Sequence, residues 1–313
     1  MRSDLLHVVT CIANPMRWST RASHTRRFLE HMLGFGLGSI TLVETEYGER
    51  PHQFADIPGV RHIPTRAKSV AWAKESALNL GIRSLPPEAK YVAWVDADVE
   101  FRNPNWAAET VHALQLHPVV QCWSEALDLG PFGEVMVGPK GRQVQKSFAS
   151  IWVEGGEVLE WWRDDRDYCY PHPGYAWAAR VDFLDAIGLL LDFSGLGAAD
   201  HQMSVGFIGK IEAVCGNLSS DSYTRMVHAW GERAFRESKG HLGVVPGRIE
   251  HWYHGDKANR KYHERWEILR KAKFDPVTDL YRNQWGVLEL SDHKPELVRD
   301  VMRYFRERQE DPY

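Results

Sequence analysis

Two aspartates separated by one small residue, Asp96 and Asp98, follow five unbroken apolar or aromatic residues, Tyr91–Val95. Such a run reads as a buried strand, and a buried strand rarely ends on two carboxylates so close together. In an extended chain residues i and i+2 face the same side, so both acids can reach one cation. A hard divalent ion with oxygen ligands, Mg²⁺ or Mn²⁺, suits the pair, and diphosphate is the usual companion of such an ion. Asp also serves to cap turns, and the residues that follow, EFRNPNW, are turn-forming, so residue type alone admits both uses.

A second concentration of chemistry lies at 248–273, where His251, His254 and His263 alternate with Trp252, Tyr253, Tyr262 and Trp266. Imidazole is a good ligand for Mn²⁺-type ions. Eight Lys/Arg face four Asp/Glu in the same stretch, enough to cover phosphates or to grip a single nucleic-acid strand between stacking rings. A solvated basic helix with packed aromatics accounts for the same pattern. Asp200 follows the small-residue run GLGAA, where it either caps a helix over 201–209 or presents a carboxylate to a cleft.

The elements that must position these groups are legible. Residues 5–13 and 39–45 read as strands, and 19–33 as a helix capped by Ser19 or Thr20, with Gly34 beyond its end. Over 67–82 the spacing of Val70, Ala73, Ala77 and Leu80 predicts a helix, and 89–96 a third strand. This alternation implies a parallel sheet with right-handed crossovers, whose ligands sit beyond the carboxyl ends of the strands. Further on, 118–130 reads as a strand leading into a loop and 131–172 as an irregular insertion. Residues 180–190 and 200–209 read as helices. The segment 294–309 is amphipathic, with Pro295 in its first turn and Leu297, Val298, Val301, Met302 and Phe305 on one face.

Composition sets few limits. A net charge of −4 announces neither a nucleic-acid nor a membrane partner, whereas 15 His and 13 Trp suit a ligand-handling protein. Cys11, Cys122, Cys169 and Cys215 form no CxxC pair, so reduced thiols are expected rather than a disulfide framework or zinc site. No secretory leader and no run of 18 apolar residues is seen, which predicts a cytoplasmic protein without a membrane span. No obligate protein partner is evident.

Six segments, VVTCIANPMRW, AWAKESALNLGI, YVAWVDADVEF, HPGYAWAARVDFLDAIG, GAADHQM and HGDKANRKYHERWEIL, run in order through residues 6–275. Together they resemble the glycosyltransferases of the GT-A fold, more narrowly the family-2-like glycosyltransferases of bacteriophages and bacteria. The resemblance implies a Rossmann-like, mostly parallel central sheet flanked by helices. It implies one catalytic domain over 1–275, with a nucleotide-sugar half (1–105) and an acceptor half (106–275), and a helical extension over 276–313.

By the same resemblance, Asp98 is a direct metal ligand, and Asp96 shares the metal or contacts the ribose. His254 is a further ligand, and Lys257 and Arg260 cover the diphosphate. Thr10, Asn14, Arg17, Glu44, Lys74 and Asn79 are expected around the donor, and Asp200 is the general base of an inverting transfer. His172, Tyr175 and Trp177 line the acceptor side. His201 stands where the family form often carries a second acid, and it joins the acceptor side here. The implied reaction moves a sugar from a nucleotide diphosphate sugar, UDP-sugar first, to an acceptor hydroxyl in a cell or phage-infected host. A hydroxymethylated pyrimidine in DNA, such as 5-hydroxymethylcytosine, is the most concrete acceptor, and it would have to be flipped out. Glycan or protein acceptors and a non-catalytic nucleotide- or sugar-binding protein are the alternatives. Nucleotidyl transfer fits poorly, because IANPMRWSTRAS lacks the glycines of a phosphate loop.

Overall fold

The computed structural model describes residues 2–138, 141–159, 170–261 and 264–311; Cys169, Tyr262 and His263 fall outside them. The first part of the chain runs β1 (Leu6–Ala13), α1 (Ser19–Leu33), β2 (Ser39–Tyr47), β3 (Arg61–Ala67), α2 (Lys74–Arg83), β4 (Tyr91–Val95), β5 (Val99–Phe101) and α3 (Trp106–Leu114). The middle adds β6 (Val119–Gln121), β7 (Glu125–Asp128), β8 (Val144–Lys146), α4 (Phe148–Val153), β9 (Ala176–Arg180), α5 (Val181–Ile187), α6 (Ala199–Phe207), α7 (Glu212–Cys215) and α8 (Asp221–Ser238). Last come β10 (Leu242–Val244), β11 (Arg248–His251), a 3-10 turn (Lys257–Arg260), α9 (Glu264–Lys271), α10 (Pro276–Asp279), β12 (Leu280–Arg282), β13 (Leu288–Leu290) and α11 (Pro295–Glu307).

The architecture is mixed α/β, as expected. A seven-stranded sheet has the order β10-β6-β9-β4-β1-β2-β3, and β9 is antiparallel to both of its neighbours while the other pairs are parallel. Side chains alternate across it with period two. Val9, Val92, Trp94, Val119 and Trp177 enter one apolar cluster with α2, α5, α6, α8 and α11. Val8, Ala93, Val95, Val120 and Ala176 enter the other with α1 and α3. Both faces are covered, which is why the central strands read as continuous apolar runs.

A second sheet, β5-β11-β7-β8, departs from the first. The chain leaves the large sheet at Val95 and joins the small one at Val99, so Asp96–Asp98 is the crossing between them. The crossing is fixed by backbone bonds: Asp96 N–H donates to Tyr175 O at 2.7 Å, and Trp252 N–H donates to Asp98 O at 2.9 Å.

Several elements differ from the sequence reading. The helix expected over 67–82 begins at Lys74, because Ala67 ends β3 and Trp72 N–H donates to Gly195 O, which holds 68–73 as a loop. Residues 118–130 hold two strands that belong to different sheets. Within 131–172, β8 and α4 are regular, with Phe148 and Ala149 fully buried. Helix α8 and the β12–β13 hairpin were not anticipated. The α1 start carries no Ser19 or Thr20 side-chain cap. Asp311, from far along the chain, accepts the Ser19 and Thr20 N–H groups at 3.0 and 2.8 Å. Among the described residues no helix is long and apolar enough to cross a membrane.

Helix α2 lies against β1 and β2 through Gly81, where an added Cβ would collide with Val9 Cγ1 and stand 3.2 Å from Val43 Cγ2. Gly81→Ala should therefore lose about 1–3 kcal/mol by overpacking, read as a lower urea midpoint with an unchanged slope.

Candidate active site

Asp98, His251 and His254 converge at the seam between the sheets. Asp98 Oδ2 lies 3.1 Å from His254 Nε2 and 3.8 Å from His251 Nε2, and the two ring nitrogens are 3.1 Å apart. One ligand atom from each falls within 4.8 Å of the others. Asp98 Oδ1 is buried and has no hydrogen-bond partner among the described residues. Two imidazole nitrogens, a carboxylate oxygen and an orphaned acceptor fit a divalent ion of the Mn²⁺ type. Asp96 sits differently: its Oδ1 pairs with Lys74 Nζ at 2.5 Å, and it is not part of the cluster.

Register supplies the support. In the parallel β7–β11 pair His251 stands beside Asp128, and His251 Nδ1–H donates to Asp128 Oδ1 at 2.7 Å. Asp128 is buried and also receives Gln145 Nε2, Lys257 Nζ and, at 3.1 Å, Tyr175 OH. Burial alone would raise this carboxyl, but His251 and Lys257 hold it far below the usual carboxylate range. Burial likewise opposes charge on His251, yet Asp128 and Asp98 prevail and lift it to about 9. His254 goes the other way, to about 3, through burial and the nearby Arg260 guanidinium. One ring is thus cationic and the other neutral. His254 Nε2 accepts from His251 Nε2–H and from Arg260 Nη2, each at 3.1 Å.

The segment after α11 closes this corner. Glu310 is buried, pairs bidentately with Arg21, bonds Arg308 Nε at 2.5 Å and lies 3.9 Å from His254 Nδ1. Gly255, at φ 85°, has no room for a side chain, because a Cβ would stand 2.7 Å from Gln309 O.

A cavity of about 640 Å³ opens beside the triad. Asp96, Asp98, His254, Lys74, Lys257, Arg260, Asp200, His172, Tyr175 and His201 line it, all singled out from sequence. Asp200 sits in the first turn of α6, not at its cap, because Ala198 takes the cap position in a left-handed conformation after Gly195 and Gly197. Tyr175 is itself at φ 75° and stacks on His172 at 4.1 Å, a strained non-glycine position inside the site. Burial lowers His172 to about 3 and His201 to about 4. Trp177 lines a small recess that continues the cavity, its Nε1–H bonded to Pro173 O.

Other expected donor residues do not line the cavity. Thr10 Oγ1 donates to Val95 O, Asn14 brackets the Trp18 backbone, and Arg17 pairs with Glu46. Glu44 accepts from Gln53 N, Phe54 N and His62, and Asn79 ties Leu190 and Asp192 to α2. These polar atoms already have protein partners.

Sequence reasoning missed His251 as a cluster member, Asp128 as its support, Arg21 and Arg308 as cavity-lining charges, and Glu310 as their buried partner. Asp128 is the last residue of β7, and a carboxylate at a strand end is the signal that could have found it. Glu75 was missed as well. It is 3% exposed, and its Oε2 has no hydrogen-bond partner among the described residues. Burial, with Asp200 adding, pushes its carboxyl up to about 8 against the pull of Lys74.

No protein-family model matches the chain, and no curated protein does. Among solved structures the chain is similar to S. aureus TarS in complex with UDP-GlcNAc, at 10% identity over 96% of this chain and 72% of that one, TM-score 0.45. It is similar to a Drosophila β1,4-galactosyltransferase 7 variant complexed with manganese, UDP-Gal and xylobiose, at 12% identity over 93% and 98%, TM-score 0.43. A third is glucosyl-3-phosphoglycerate synthase from Mycobacterium tuberculosis with Mn²⁺, UDP and phosphoglyceric acid, at 12% identity over 86% and 76%, TM-score 0.39.

A carboxyl raised in the folded state stabilises below its unfolded pKa, and that stability is lost as pH climbs through the folded value. For Glu75 the window runs from about 4.5 to about 8. Glu75→Gln cannot ionise, so its stability relative to wild type should rise across that window, by on the order of 4 kcal/mol at most. Urea titrations at pH 5 and pH 8 read the difference.

Proposed function

We propose that the protein is a metal-dependent glycosyltransferase that moves a sugar from a nucleotide diphosphate sugar, UDP-sugar first, to an acceptor hydroxyl. The observation that carries this reading is the convergence of Asp98, His251 and His254 on the wall of a cavity that Arg21, Lys257, Arg260, Arg265 and Arg308 also line. A site with three metal-type ligands beside five cationic side chains is built for a polyanion that carries a cation with it.

The bound ion would neutralise charge growing on the departing nucleotide as a Lewis acid. The chain's own groups account for the rest. Asp128 holds His251 and Lys257 in place, and Lys257 and Arg260 offer donors to the diphosphate. Asp200, opposite Gly174, accepts the proton of the attacking hydroxyl, the role of base in an inverting transfer. His172 and Tyr175 give that hydroxyl's carrier a flat stacking surface. Asp96, held by Lys74, faces the donor and not the ion. The acceptor is assigned from sequence resemblance: a hydroxymethylated pyrimidine in DNA is the first to assay, followed by glycans and proteins. Cys11, Cys122 and Cys215 are free thiols, in keeping with action in a cytoplasm.

The test is melting temperature with UDP, with and without Mn²⁺. At a hundredfold excess over Kd the wild type should gain roughly 4–8 °C, and only with metal. Asp98→Asn and His251→Ala should lose that gain. Asp200→Asn should keep it while transfer falls about 10²- to 10⁴-fold. No shift with any nucleotide diphosphate sinks the proposal.

A further inference from the structure

Beyond the large cavity, and continuous with it through Lys74, Glu75, Asp96, Tyr175 and Asp200, lies a recess of about 10 Å³. That volume is close to the least that admits one water, so the recess takes a single oxygen-sized group and not a sugar ring. Its walls combine Glu75, Lys74, Asp96 and Asp200 with the rings of Trp94 and Trp177. An added Cβ at Gly174 would stand 3.0 Å from Asp200 Oδ2, so a glycine keeps that wall open.

The polar groups here are unequally served. Lys74 Nζ is committed to Asp96 Oδ1 at 2.5 Å, and Asp200 Oδ1 accepts the His201 N–H at 2.9 Å. Glu75 Oε2 is buried with no partner among the described residues. Buried polar atoms are seldom left so without a ligand or water to complete them. A hydroxyl is the matching group, because it both donates and accepts, and it can bridge a carboxyl to an ammonium.

We infer that Glu75 is a specificity-determining residue that reads one hydroxyl of the transferred sugar, with the sugar ring in the large cavity and that hydroxyl in the recess. The assignment rests on the glycosyltransferase reading, and it places the recess on the donor side because Asp96 and Lys74 form the wall that leads to Asp98. Burial supports it by lifting the Glu75 carboxyl to about 8, which leaves an O–H donor as well as an acceptor near neutral pH.

The experiment is calorimetric titration at pH 7 with Mn²⁺ and no acceptor, using UDP, UDP-glucose, UDP-galactose and UDP-N-acetylglucosamine. Wild type, Glu75→Leu and Glu75→Gln are compared, and melting curves confirm that each variant is folded. UDP should bind all three within about twofold. The best sugar nucleotide should lose about tenfold or more in Glu75→Leu, the worth of a hydrogen bond to a buried group, and recover part of that in Glu75→Gln. The inference is overturned if UDP and the sugar nucleotide weaken together, which marks a structural role. It is equally overturned if neither weakens, which marks a recess that holds only water. Absence of UDP binding to wild type is a separate result, which removes the glycosyltransferase reading and this inference with it.

Discussion

The buried carboxylate of Asp128 is the constraint around which the site is arranged. An ionised acid at this depth persists only when its lone pairs are filled, and four side chains fill them: His251, Lys257, Gln145 and Tyr175. Those partners come from β11, the turn after it, β8 and the approach to β9. One acid therefore sets the position of a candidate metal ligand, a cavity-lining lysine and a stacking ring together. The second sheet can be understood as the scaffold for this arrangement, since the β7–β11 register alone puts His251 beside Asp128.

The two imidazoles show how such a scaffold differentiates identical side chains. Both rings have carboxylates near them. Those beside His251 lift it to about 9, whereas burial and the Arg260 guanidinium outweigh Asp98 at His254 and lower it to about 3. A neutral ring presents a lone pair and a charged ring presents a proton, so without a cation the pair closes on itself across 3.1 Å. A divalent ion held by Asp98, His251 and His254 would need both rings in their neutral form, so His251 would have to give up its second proton.

Much of the frame was legible because buried parallel strands and amphipathic helices leave strong periodic traces. Helix α1 was read at its observed bounds, Asp98 and Asp200 drew notice from their local sequence, and His254 and Lys257 were singled out by the family resemblance. The remainder depended on distant pairing. Nothing local distinguishes Glu44 and Asn79, which serve as internal ties, from Glu75, which faces the recess. Each is a polar residue on a strand or helix near the ligand edge, and only the three-dimensional neighbours separate them. The stretch 67–73 misled for another reason. Its apolar spacing suits a helix, but a bond from Trp72 to Gly195, remote in sequence, commits it to the cavity wall. His251 looked like one ring among several until its cross-strand partner was known.

The clasp formed by Glu310 and Asp311 over Gly255 and the start of α1 bears on the order in which the molecule is assembled. The cavity wall draws on Cys11 and on Arg308, and the groups that fix it are almost as far apart in sequence. Contacts of such separation are slow to form, because loop-closure entropy must be met before they contribute. The β1–β2–β3 part of the sheet can gather first, from nearer neighbours, while Arg21 and the α1 amides wait for their acidic partners. Competence to hold a polyanion is then among the last properties the folding chain acquires, and a nascent chain still lacking that segment would present the cations without their internal counter-ions.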